Sequence, residues 1–133
     1  MRDFDVQTIE IAAPCDAAFT YIADPGTLPE WTHAFRPVSN GRATMATPTG
    51  SVEVELRVES SRVAGTIDWI MTFTDGSVGR AFSRLIDLGH RTLYTFVLMA
   101  PPVPLERLEG ALEEQARALR EELAALQRKL SNR

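Results

Sequence analysis

From Leu105 to Leu130, leucine and alanine recur at spacings of three and four: Leu105, Leu108, Leu112, Ala116, Leu119, Leu123, Leu126 and Leu130. That spacing draws one continuous apolar stripe along a helix. At 1.5 Å per residue the helix is roughly 40 Å long, enough to cross a small domain. Glu106, Glu109, Glu113 and Glu114 load its first turns, with Arg117, Arg120, Arg128 and Lys129 in its later ones. Both ends therefore suit the helix dipole. Pro101, Pro102 and Pro104 lead into it, and proline is well placed in a first turn. Gly110 costs roughly 1 kcal/mol there relative to alanine, and is read as a kink or a close approach to the pocket, with simple tolerance near the N-terminal end as the alternative.

Ahead of this helix the period is two. Residues 4–12 alternate as a first strand, with Phe4, Val6 and Thr8 set against Asp5, Gln7 and Ile9. Pro14 then opens a short helix in which Phe19 and Ile22 share an apolar face. Asp24-Pro25-Gly26 stops it, because proline moves its predecessor out of the α region and glycine permits a turn. A second short helix follows over about 27–33, with Thr27 as its cap. Turn signals then punctuate the chain at Asn40-Gly41, Pro48-Thr49-Gly50, Ser60–Arg62, Asp75-Gly76 and Leu88-Gly89-His90. They predict strands near 34–39, 42–48, 51–59, 64–74, 77–88 and 91–100. No helical pattern interrupts them, so the strands should form an antiparallel meander. With the first strand this makes a seven-stranded sheet in one α+β domain spanning residues 1–133.

The faces of the sheet follow from alternation. Val52, Val54, Leu56 and Val58 lie on one side of their strand, with Glu53, Glu55, Arg57 and Glu59 on the other. In the next strand Ile67, Trp69, Met71 and Phe73 form the apolar side. A two-residue Asp75-Gly76 loop pairs Trp69 with Phe82, which brings Arg80, Phe82 and Arg84 onto that apolar side. A buried arginine cannot shed its charge, so it needs a carboxylate, carbonyls, water or a ligand anion. Arg84 and Arg80 are therefore candidate anchors for an anionic or carbonyl ligand. A guanidinium at the rim, or a bulge that turns both outward, is the competing reading. The face of Tyr94 depends on whether the turn at Leu88–Arg91 has two or three residues.

Composition narrows the partners. The formal charge is −4, and the basic field that nucleic-acid binding needs is lacking. Cys15 is the only cysteine and cannot form an internal disulfide, which suits a reducing, cytoplasmic setting. No run approaches the roughly 20 apolar residues of a membrane span, so stable membrane insertion is not expected. His33 and His90 lack the spacing of a zinc site, and neither a metal nor a cofactor is expected. Cys15 follows Pro14 at a helix start, a position that lowers a thiol pKa, but the reading preferred here is an inert, small packing residue.

Ile9-Glu10-Ile11-Ala12-Ala13-Pro14, Phe19, Tyr21-Ile22-Ala23-Asp24-Pro25 and Leu28-Pro29-Glu30-Trp31 together resemble the N-terminal signature of the SRPBCC, or START-like, superfamily. That group includes lipid carriers, pollen-allergen proteins and polyketide aromatase/cyclases. The resemblance covers essentially the whole chain and implies a helix-grip fold, a curved sheet wrapped round the C-terminal helix. It also implies a small hydrophobic ligand, aromatic, polyketide-like or lipid-like. On this reading Trp69, Met71, Phe82, Leu56 and Val54 line the cavity, Trp31 and His33 sit beside its mouth, and Arg84, Arg80 and Tyr94 supply polarity. Two alternatives stay open. One is a cyclase or dehydratase in which the same polar groups polarise carbonyls. The other is an interaction module with a filled core, which includes a homodimer built on the leucine stripe as a heptad seam.

Overall fold

Hydrophobic periodicity of two gives way to a periodicity near 3.6 after residue 100, and the computed structural model of the chain changes from sheet to helix there. It describes residues 3–32, 41–47, 50–100 and 105–131. Strand β1 (Phe4–Ile11) is followed by helix α1 (Cys15–Ala23), a single 3-10 turn (Pro25–Thr27) and the short helix α2 (Leu28–Trp31). Strands β2 (Arg42–Thr47), β3 (Gly50–Ser61), β4 (Thr66–Thr72), β5 (Val78–Asp87) and β6 (Thr92–Met99) come next, then helix α3 (Leu105–Ser131). The sheet order is β1-β6-β5-β4-β3-β2, antiparallel throughout. Six strands are present among the described residues, not seven. The strand expected at 34–39 lies outside the described residues, as do Asn40, Pro48-Thr49 and Pro101–Pro104.

Helix α3 runs alongside β1 in the same direction. Gln7 donates from Nε2 to the Ala116 carbonyl at 2.7 Å, Gln127 donates from Nε2 to the Glu10 carbonyl at 2.6 Å, and the Ala12 amide donates to Ser131 Oγ at 3.1 Å. The leucine stripe from Leu112 to Leu130 is buried within its own chain, where Leu123, Leu126 and Leu130 are at most 1% exposed. Each such side chain contributes about 1.5–3 kcal/mol of burial. Helix α1 buries Ala18, Phe19, Tyr21 and Ile22. Thr27 does not cap α2 with its side chain; its hydroxyl donates back to the Tyr21 and Asp24 carbonyls, both at 2.8 Å.

Two turns differ from the sequence reading. Strand β3 continues to Ser61, so the β3–β4 turn falls at 62–65, with Gly65 at φ +75. Arg62, in that turn, is tied to α1: it pairs with Asp16, donates to Thr20 Oγ1 at 3.0 Å and lies over the Phe19 ring, 4.6 Å from its centroid. The β4–β5 loop has three residues, Thr74, Asp75 and Gly76, because Phe73 and Ser77 close it (Phe73 N to Ser77 O, 2.9 Å). Asp75 Oδ1 accepts from Ser77 N at 2.9 Å and from Ser77 Oγ at 2.6 Å, and Gly76 takes φ +87, as a bulged three-residue hairpin requires.

Candidate ligand-binding interior

That extra loop residue decides which side chains meet the helix. Trp69 pairs with Ala81, not Phe82; Asp68 pairs with Phe82, Thr66 with Arg84 and Ile70 with Arg80. A shift of one residue moves a whole strand's side chains to the other face. Ala81, Ser83 and Leu85 therefore point inward, while Arg80, Phe82 and Arg84 lie on the outer face and are exposed. The inward placement of Phe82, Arg80 and Arg84 is thus corrected. Arg80 instead borders an open outer depression of about 370 Å³, together with Arg42, Glu55, Arg57, Thr72 and Val78. At its floor Ile70, flanked in register by Arg57 and Arg80, is an apolar residue on the outer side. Arg84→Met should leave the melting temperature within about 2 °C of wild type, as for a surface substitution. A larger fall in a thermal melt would show a structural partner for this side chain.

The other assignments of face stand. Val54, Leu56, Trp69 and Met71 are inward and buried, and Trp31 is buried in α2. His33 lies outside the described residues. The β5–β6 loop has two residues, Gly89 and His90, with Leu88 N donating to Arg91 O at 2.9 Å. Tyr94 consequently points inward and is completely buried. It meets Phe96 edge-on, ring centroids 6.4 Å apart, and Phe96 stacks on Trp69 at 5.5 Å and 24°. One aromatic wall thus crosses β4, β5 and β6.

The polar atoms on this inner wall are unevenly satisfied. Ser83 Oγ donates to the Ile67 carbonyl at 2.6 Å, and Thr92 Oγ1 donates to the Ala13 carbonyl at 2.9 Å. Tyr94 OH, Trp69 Nε1 and Trp31 Nε1 are buried without a hydrogen-bond partner among the described residues. Burial pushes the Tyr94 phenol well above its ordinary value of 10, with the nearby Ser83 hydroxyl opposing, so it remains a neutral donor. Ser83 stands close enough to influence it without forming a bond of acceptable geometry. Each stranded donor costs about 1–3 kcal/mol.

The interior is fully buried at one end and half-buried at the other. Near Ile11 and Thr92, both 0% exposed, it is sealed by Leu123, Leu126 and Leu130. At the other end the inward-facing Asp5, Met45, Phe73 and Leu98 are only half-buried, and Val52 is 37% exposed. Ser83, expected on the outer face together with Asp68, points inward with the one-residue shift of β5, and Asp5, Gln7, Thr92 and Phe96 carry no assignment from the sequence. Their signal is the pairing of β1 with β6, in which Gln7 meets Phe96 and Ile9 meets Tyr94. Cys15, half-buried, has its thiol pKa raised, first by burial and then by Asp87, so the helix start does not activate it.

With this geometry in hand, the comparison with solved structures is decisive for the fold. A START superfamily protein from Mycobacterium smegmatis superposes at a TM-score of 0.66 with 17% identity, covering 97% of this chain and 99% of its own. The chain has the START-like, or SRPBCC, fold. The Zhui aromatase/cyclase from Streptomyces matches it at 0.64 with 11% identity over 97% of this chain and 91% of its own. The di-domain ARO/CYC BexL matches at 0.67 with 18% identity over 96% of this chain, which corresponds to 46% of BexL. No family model matches the sequence, and no curated protein matches it. Within this START-like fold no helix of the described residues is long and apolar enough to cross a membrane.

Proposed function

We propose that this chain is a single-domain cytoplasmic protein that binds a small hydrophobic ligand between its sheet and α3. The observation that carries the reading is the set of three buried donors, on Trp31, Trp69 and Tyr94, with no described partner. Apolar walls with a few polar groups of fixed direction are how small-molecule sites work. The half-buried inner residues Met45, Phe73 and Leu98 mark the end at which a ligand enters. Aromatase/cyclases among the structures of similar fold favour a ring-bearing, polyketide-like molecule over an acyl chain.

Binding is favoured over nucleophilic catalysis by the state of the inner Ser83 and Thr92 hydroxyls. Ser83 and Thr92 commit their protons to backbone carbonyls, so neither is activated by a neighbouring base. The test is titration with Nile red, a neutral environment-sensitive dye. Saturable, blue-shifted binding of one dye per chain is the expected result. Weak, unsaturable binding, with no small molecule released from freshly purified protein in native mass spectrometry, would turn the interpretation to an interaction module.

A further inference from the structure

Strand β1 is an outermost strand among the described residues, and its free edge is only partly closed. Ala100 N donates to the Asp3 carbonyl at 2.8 Å, which sets the phase of the ladder between β1 and β6. Bonded and non-bonded pairs alternate along an antiparallel ladder, so Asp5, Gln7 and Ile9 bond to β6. Phe4, Val6, Thr8 and Glu10 therefore aim their amides and carbonyls away from the sheet. The 3.3 Å approach of Thr8 Oγ1 to Thr95 Oγ1 agrees, because side chains come closer in the non-bonded pairs.

Helix α3 closes the far part of this edge and stops there. Gln127 donates to the Glu10 carbonyl, and the Ala12 amide donates to Ser131 Oγ. The outward backbone groups of Phe4, Val6 and Thr8 have no partner among the described residues. Proteins usually blunt such an edge with lysine, proline or a bulge. Residues 4–8 hold no lysine or proline, and their register with β6 is unbroken. The charge in this stretch, Asp5, points inward and accepts from Gln7 Nε2 at 2.8 Å. On the outer face Phe4, Val6 and Thr8 are exposed and uncharged.

We propose that a second copy of this chain pairs here, β1 against β1, antiparallel about a twofold axis at Val6. In this register Val6 exchanges two hydrogen bonds with Val6 of the second copy, and Phe4 does so with Thr8 of the second copy. Every free backbone group from Phe4 to Thr8 is then satisfied. Moving the axis to Gln7 would set Phe4 against Glu10, whose carbonyl Gln127 already holds. Moving it to Asp5 would carry Thr8 past the start of the strand at Phe4. The contact is isologous, so it closes at two chains and does not grow into a filament. The leucine stripe of α3 is not available to a second copy, being buried in its own chain.

Sedimentation velocity from about 1 μM to about 500 μM should show a reversible monomer–dimer equilibrium, with the micromolar dissociation constant of a small interface. Val6→Lys sets like charges opposite each other at the axis and should raise that constant about tenfold or more. Val6→Pro removes a free donor without touching the β1–β6 ladder, so it should be monomeric with its circular dichroism unchanged. Hydrogen exchange then locates the contact. The Phe4, Val6 and Thr8 amides should slow as wild-type concentration rises and stay fast in Val6→Lys. A chain that is monomeric at every concentration overturns the proposal. So does a dimer that Val6→Lys leaves intact, or one in which these three amides exchange freely.

Discussion

Gly65→Ala should lose about 3 kcal/mol or more of folding stability, a large effect for one methyl group at the buried end of a turn. Gly65 holds φ +75, a region in which a residue with a Cβ costs of order 1–3 kcal/mol. A Cβ there would also stand 2.5 Å from the Leu85 carbonyl oxygen, a backbone atom that cannot swing aside. The approach is close because Leu85 N donates to the Gly65 carbonyl at 2.8 Å, which continues the β4–β5 ladder beyond Thr66. Relief requires β5 to move, and β5 carries Ser83 and the wall beside Tyr94. Gly76→Ala is the matched control: φ is +87 but nothing lies within 4 Å of the added carbon, so about 1–2 kcal/mol should be lost. Urea denaturation checks the pair, with the Gly65→Ala midpoint falling further at unchanged slope. Equal losses would mean that the backbone conformation, and not the contact with β5, sets the cost.

The same region shows what could and could not be read from the residues. Strong periodicities survived translation into structure: the leucine stripe became α3, and the Val54–Leu56 and Trp69–Met71 alternations became inner faces. Those patterns are legible because burial of several side chains fixes a face at once. Strand β5 was misread because its pattern is ambiguous. Ala81, Ser83 and Leu85 are a small, a polar and a large residue, whereas Phe82 is the bulkiest side chain and drew the assignment to itself. The loop then had to arbitrate, and Asp75-Gly76 reads as a two-residue turn until Ser77 is counted. With its amide and hydroxyl both bound to Asp75, Ser77 closes a three-residue loop. The energetic clue was present in the arginines: two permanent charges outweigh the exposure of one phenylalanine, here only 36% exposed. Asp5 and Gln7 were overlooked for the opposite reason. Polar residues on an inner face look like an outer face until β1 is paired with β6.

Trp69→Ala should remove about 3–5 kcal/mol, the usual cost of deleting a large buried aromatic. Trp69 is 3% exposed, stacks on Phe96 and sits opposite Val58 and Ala81, all on the inner side. Ala81 is too small to fill the space, so the gap persists and the full cavity cost applies. Against a typical total of about 5–15 kcal/mol the variant should still fold, but with its urea midpoint much reduced. Trp69→Phe should lose far less, because it retains most of the stacking surface and no longer strands the indole N–H. The two variants together link stability to function. Under folded conditions Trp69→Ala should bind Nile red with altered affinity and emission, since one wall of the proposed site has gone. A folded Trp69→Ala protein whose dye binding matched wild type would place the ligand elsewhere, with the outer depression between Arg42 and Arg80 as the next location to examine.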